Sequence, residues 1–318
     1  MKKILITGGC GYVGSALVER LKVKNYIKVI DTQWFGNNLK KDNNVEIMKE
    51  DIRNLSDNFV DNSYHSVVHL ANIANDPSVE LDHSLSWEVN VLALKNLVET
   101  AIKNNVKKFV YASSGSVYGI KKEDKVVEDL ELVPISTYNK TKMIGERVLL
   151  SYADKIQIYI IRPATVCGLS PRMRFDVSVN MLTLQALQSK VITIFGGNQI
   201  RPNIHIQDMV RVYEHFLENS LPVGIYNAGF ENISILDIGK KIQKYIDCRI
   251  DVKKDINDPR SYRQSSEKLI KTNFQQQYYV EDAIKDIIKI YKTGNLKLDD
   301  SCYTVKWMKE KVLNGNRN

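Results

Sequence analysis

A short apolar run, Lys2 to Ile6, breaks into Thr7-Gly8-Gly9-Cys10-Gly11-Tyr12-Val13-Gly14, and this turn constrains the fold more than any other feature of the chain. Val13, Ala16, Leu17 and Leu21 follow at helical spacing, so the segment reads as strand, glycine turn, helix. Gly8 permits the tight turn, Gly11 lets the backbone approach a pyrophosphate at the helix N-terminus, and Gly14 lets the helix pack on the sheet. An ordinary βα turn can carry such glycines. What narrows the reading is Asp31, an acid closing the next strand at the expected offset of about 20 residues. A carboxylate there accepts from both ribose hydroxyls and repels a 2′-phosphate, which predicts NAD rather than NADP. Tyr12 and Val13 in the turn join the predicted cofactor site, as do Asp51 and Ile52 after the third strand. Asp51 reads equally well as an adenine contact and as an acid that ends a strand.

The opening pattern repeats. Ile27–Ile30, Val45–Met48, Ser66–Leu70, Phe109–Ala112 and Ile156–Ile161 read as strands, with helices at Trp87–Lys103 and Thr137–Tyr152. Such alternation implies right-handed crossovers and a parallel sheet covered on both faces. After Arg162-Pro163 the rhythm loosens into a polar loop, Ser170 to Asp176, and the role of the chain changes there. Helices near Val179–Leu187 and Asp208–Glu218, strands at Val191–Ile194 and Ile225–Asn227, and a helix capped by Ser234 follow.

With 318 residues and 43% hydrophobic content, the chain has ample material for a core of one large or two cleft-sharing domains. The net charge of +8 comes from lysines spread over many segments, which reads as solvated surface and predicts no nucleic-acid partner. No apolar run reaches membrane-spanning length, and the basic start is cut short by Thr7-Gly8-Gly9, so a cytoplasmic location without a membrane partner is expected. Cys10, Cys167, Cys248 and Cys302 lack paired spacing and read as reduced thiols. His65 and His69 have no further ligands nearby, so no metal is expected.

Tyr138 and Lys142 stand four apart at the start of a helix and share a face. A nearby ammonium stabilises a phenolate, which lets the tyrosine exchange a proton with a hydroxyl while hydride moves to nicotinamide. Ser114, in Ser113-Ser114-Gly115-Ser116-Val117-Tyr118-Gly119, lies where a parallel sheet exposes its ligand-facing edge and can bond the same oxygen.

Together the glycine turn, His69-Leu70-Ala71, Asn90-Val91, the Ser113–Gly119 segment, Tyr138-Asn139-Lys140-Thr141-Lys142 and Arg162-Pro163 resemble the extended short-chain dehydrogenase/reductases, most closely the NAD-dependent nucleotide-sugar epimerases and dehydratases. The resemblance covers nearly the whole chain and is strongest before Gly168. It implies an α/β fold: a Rossmann-type doubly wound parallel sheet with a smaller, partly interleaved α/β substrate-binding lobe. Residues 1–167, with 204–230 returning to them, would bind NAD; residues 168–203 and 231–318 would bind a nucleotide-diphosphate sugar. It further implies a Ser114, Tyr138, Lys142 triad, a 4-keto sugar intermediate, cofactor contacts from Leu70 and Ala71, and a homodimer through Trp87–Lys103 and Thr137–Tyr152.

For the nucleoside diphosphate the candidates are Asn180, Arg201 and Arg260. Arg201 lies in a segment similar to one from which the family contacts the diphosphate, and a guanidinium matches phosphate oxygens bidentately. Arg263 is the alternative to Arg260, while Arg172 and Arg174 read as pocket wall or as solvated loop. Three functions stay open: a 4-epimerase, a nucleotide-sugar 4-dehydrogenase or ketoreductase, and a non-catalytic dinucleotide-binding protein. Dehydratases of the family place an Asp-Glu pair directly after the catalytic Ser/Thr. Gly115 and Ser116 stand there in this chain, so 4,6-dehydration is not expected.

Overall fold

In the computed structural model, which describes residues 1–56, 58–253 and 261–313, the chain runs through twelve strands and seven main helices. The strands are β1 (Lys2–Thr7), β2 (Asn25–Asp31), β3 (Val45–Lys49), β4 (Tyr64–His69), β5 (Lys108–Ala112), β6 (Gln157–Pro163), β7 (Thr165–Cys167), β8 (Val191–Phe195), β9 (Ile200–His205), β10 (Gly224–Ala228), β11 (Glu231–Ser234) and β12 (Arg249–Lys253). The helices are α1 (Tyr12–Leu21), α2 (Ala93–Lys103), α3 (Thr137–Leu150), α4 (Ser178–Ser189), α5 (Ile206–Glu218), α6 (Ile235–Gln243) and α7 (Val280–Lys292).

Seven strands form one parallel sheet in the order β10-β6-β5-β4-β1-β2-β3. Period-two alternation divides β1 between two cores: Ile4 and Ile6 face α1 and α5, while Leu5 faces α2. Thr7 is level with Ile30 on β2 and with His69 on β4, so the chain leaves β1 where its neighbours run off in opposite directions. A crevice opens at such a switch point, above the carboxyl ends of the strands.

The helix expected over Trp87–Lys103 is interrupted. A helical turn at His83–Trp87 passes through a wider π-type turn, Glu88–Leu92, before α2 begins. Asn90 in that turn is buried and bonds Ile73 twice, accepting from its N–H (2.8 Å) and donating to its carbonyl (3.2 Å), and it also donates to Thr141 Oγ1 (3.1 Å). The irregular turn thereby fixes the loop after β4 to α3, a frequent use of such bulges.

The second lobe holds a mixed sheet, β11-β9-β7, and a parallel pair, β12-β8, packed with α4, α6 and α7 around Ile192, Ile194, Ile238 and Ile284. The last described segment leaves this lobe. Met308 is buried in the core beside Leu5 and Ile30 of the large sheet, and Trp307 Nε1 donates to Trp34 O at 2.5 Å. No helix among the described residues is long and apolar enough to cross a membrane.

Candidate active site

A cavity of about 870 Å³ occupies the crevice above β1, β2, β4 and β5 and extends under the second lobe. Its wall includes Gly8, Gly11, Tyr12, Val13, Gly14, Asp31, Asp51, Ile52, Leu70 and Ala71, together with Ser114, Tyr138, Lys142 and Arg201. The structure thus gathers onto one surface residues that lie almost 200 positions apart.

Two glycines of the turn are required by its shape. Gly8 has φ of 74°, and a β-carbon there would stand 2.5 Å from Ala71 N; at Gly14 it would stand 2.1 Å from Gly8 O. The close backbone turn opens α1 with its free N–H groups at the cavity, a cradle fitted to a pyrophosphate. Asp31 closes the other side. Its carboxylate accepts from Gln33 N (2.7 Å) and Cys10 N (2.9 Å). Burial pushes its pKa up, and those amides and the Arg172 charge pull against that rise. These features suit an NAD adenosine, with Asp31 toward the ribose. An Asp31→Ala variant is expected to narrow the preference for NAD over NADP by about tenfold or more, because a like charge facing the 2′-phosphate is removed. Calorimetric titration of both dinucleotides checks this, and tighter NADP binding by the unmodified protein would contradict it. Asp51 caps the short turn Ile52–Asn54 and is held by the Arg53 guanidinium (2.9 Å), so its strand-ending role is visible alongside its place in the wall.

Ser136 caps α3, accepting from Asn139 N at 3.2 Å, and this sets Tyr138 and Lys142 facing the end of β5. Lys142 Nζ donates to Ala112 O (2.8 Å) and lies 5.0 Å from the Tyr111 ring centre and 6.0 Å from that of Tyr138. Burial lowers its pKa to about 7, with Glu146 acting in the opposite sense. Burial also raises Tyr138 to about 12, and the groups that oppose this rise are Ser114, through a hydrogen bond, and the positive Arg174. Lys142 thus bonds a backbone carbonyl while its ammonium stands on the Tyr138 side of the site. Ser114 Oγ lies 2.7 Å from Ser116 Oγ, which donates to Asn139 Oδ1 (2.6 Å), so a hydroxyl chain runs from the strand end to the helix.

Asn180 does not reach the cavity wall. It is fully buried, accepts from Gly168 N (2.9 Å), and donates to Tyr12 OH (3.1 Å) and Arg174 O (2.9 Å). Its amide is consumed in joining α4 to the glycine turn, which leaves no polar atom for a diphosphate. Arg201 projects from β9 into the wall, and Arg260 lies outside the described residues. Sequence reasoning left Arg172 and Arg174 undecided and passed over Trp34, Phe35 and Tyr262, all of which line the cavity. Arg174 forms a two-pronged pair with Asp176 (2.8 and 3.1 Å). The available signal was the aromatic pair Trp34-Phe35, three residues after Asp31 in an otherwise polar loop.

The model of the NAD dependent epimerase/dehydratase family matches residues 4–229. An uncharacterized UDP-glucose epimerase of Bacillus subtilis (strain 168) is 33% identical over 261 residues, covering 76% of this chain and 81% of that protein. The UDP-glucose 4-epimerase of Lactobacillus helveticus is 27% identical over 273 residues, with the same shares covered. The crystal structure of UDP-glucuronic acid 4-epimerase from Bacillus cereus, in complex with UDP-glucuronic acid and NAD, is 28% identical, with a TM-score of 0.81 over 92% of this chain and 99% of that one. The chain belongs to the NAD-dependent epimerase/dehydratase family, and NAD is its cofactor.

Proposed function

We propose that this protein is a nucleotide-sugar 4-epimerase that acts on a UDP-sugar through a 4-keto intermediate. The observation that carries this reading is the convergence of Ser114, Tyr138 and Lys142 on the wall of the cavity that also holds the glycine turn and Asp31. NAD, when bound, supplies the acceptor and then the donor of hydride. Tyr138 takes the proton of the C4 hydroxyl as that carbon is oxidised and returns it after reduction, acting as the phenolate that the Lys142 ammonium and the positive charge of bound NAD would favour. Ser114 bonds the same oxygen, and Lys142 places its amino group between the tyrosine and the cofactor ribose, where the anionic substrate and the phenolate would favour its charged form. Arg201 provides donors for the diphosphate. Relatives named as 4-epimerases favour inversion over net oxidation. The end of β5 offers no acid–base pair for dehydration: at Gly115 a β-carbon would stand 3.0 Å from Gln264 Oε1 and 3.1 Å from Tyr262 OH, leaving little room for a carboxylate side chain. We also infer a cytoplasmic homodimer, in which Leu92, 62% exposed at the start of α2, would be covered.

The test is incubation with UDP-sugars in large excess over NAD, in deuterated water, with products read by NMR and mass spectrometry. The expected product is inverted at C4, retains its C6 hydroxyl, and exceeds the NAD present. Accumulation of NADH with an oxidised sugar would replace the reading with a dehydrogenase, and a 4-keto-6-deoxy product with a dehydratase.

A further inference from the structure

Arg172 is only 4% exposed, lines the cavity, and is held over the opening turn of α1. Its N–H donates to Ser15 Oγ (3.3 Å), and the nearby Ser170 hydroxyl donates to Tyr12 O (2.6 Å). The guanidinium lies on the face of Phe35, 4.2 Å from the ring centre. Its Nη2 donates to Ser301 O (3.3 Å) and Thr304 Oγ1 (3.0 Å), both uncharged, while its buried Nε has no partner. Burial, aided by the positive Arg174, lowers its pKa to about 10 against the pull of Asp176, which leaves it charged at neutral pH with no carboxylate directly bonded to it. The backbone of Arg172 is thus fixed to α1 while its guanidinium, a buried cation with a spare donor in the wall of the dinucleotide cavity, is suited to an anion.

The residues that hold Arg172 belong to the end of the chain. From Asp299 this segment bonds the guanidinium, then gives Thr304 N to Asp176 Oδ2 (3.3 Å), then Trp307 Nε1 to Trp34 O (2.5 Å), and finally buries Met308 in the large sheet's core. Asp176 Oδ2 also accepts from Asn75 Nδ2 (3.5 Å). The segment therefore bridges the loop after β2, the loop after β4 and the loop after β7, which stand around the cleft above the glycine turn. Thr304, Val305 and Met308 are part of the cavity wall.

We propose that Arg172 and the segment Asp299–Met308 form a clasp across the dinucleotide cleft. Arg172 is a cofactor-binding residue for the anionic pyrophosphate and adjoining ribose, and the segment orients it and retards NAD release. A nucleotide-sugar epimerase returns its cofactor to the starting redox state in each cycle and has no need to exchange it, so slow release fits the proposed reaction. The inference itself rests only on NAD occupying the cleft.

The test uses NAD-loaded protein and measures the NAD dissociation rate after rapid removal of free dinucleotide, for the parent and for Arg172→Gln and Trp307→Phe. Trp307→Phe keeps an aromatic ring against the core and removes the donor to Trp34 together with part of the indole packing, which the melting temperature reports separately. Release is expected to be about tenfold or more faster in Arg172→Gln and about fivefold faster in Trp307→Phe, as loss of one charged and one neutral hydrogen bond dictates. The melting temperature of each NAD-free protein is measured alongside, because a merely structural role would lower it without changing release. Release within twofold of the parent in either variant overturns the clasp. A parent that holds no NAD, with Asp31→Ala making no difference, overturns the cofactor assignment and the clasp together.

Discussion

Tyr138→Phe is expected to lower turnover about 10²-fold or more while leaving NAD binding intact. The substitution removes one hydroxyl. The ring remains packed against the core that backs the large sheet, and the cap of α3 does not involve it. Lys142 keeps its bond to Ala112 O, and Ser114 loses the Tyr138 hydroxyl but keeps Ser116, so the cofactor side is undisturbed and the strand end stays anchored. What is lost is the group that carries the C4 proton. Ser114 cannot replace it, since an alcohol near its ordinary pKa is a poor base and this one already bonds Ser116. Lys142, turned to a carbonyl, is likewise committed. Single-turnover measurement with NAD-loaded protein separates this loss from any change in sugar binding, and an unchanged rate would require a different base.

Arg162→Met is expected to destabilise the protein by about 3–5 kcal/mol, because it leaves a carboxylate buried without its cation. Arg162 and Glu146 are each 2% exposed and meet through two bonds, Nε to Oε1 at 2.9 Å and Nη2 to Oε2 at 2.7 Å. Arg162 Nη1 also donates to Tyr118 OH (2.7 Å) and Glu128 O (3.0 Å), while the Ser113 hydroxyl donates to Glu146. The pair ties β6, α3 and the Ser113–Tyr118 segment together directly beneath Ser114 and Lys142. Denaturant titration gives the loss in stability. The double variant Arg162→Met with Glu146→Gln should recover part of it, since the stranded charge is then gone. A single variant within about 1 kcal/mol of the parent would show that the pair is not under the tension that its burial implies.

Much of the first lobe was legible because its signals are local. A glycine turn, an acid one strand later and a tyrosine four residues before a lysine each sit within a single element or a single βα unit, and periodicity alone aligns them. The interruption at Glu88–Leu92 was not legible: Asn90 distorts that helix to reach Ile73 and Thr141, partners 17 and 51 residues away. Asn180 shows the same limit from the other side. Its residue type suits a diphosphate, yet the fold places Gly168, Tyr12 and Arg174 around it and uses up its amide.

The sequence by itself determined the parallel α/β architecture and the use of NAD, and it supplied the glycine turn and the tyrosine on which the proposed reaction rests, because strand and helix periods and short-range spacing encode them. The tertiary structure alone decided which way Lys142 points, what Arg172 is aimed at, and that the last described residues return from the second lobe to close over the first. Those outcomes depend on burial and on contacts between segments from 30 to more than 200 residues apart, which no local pattern records.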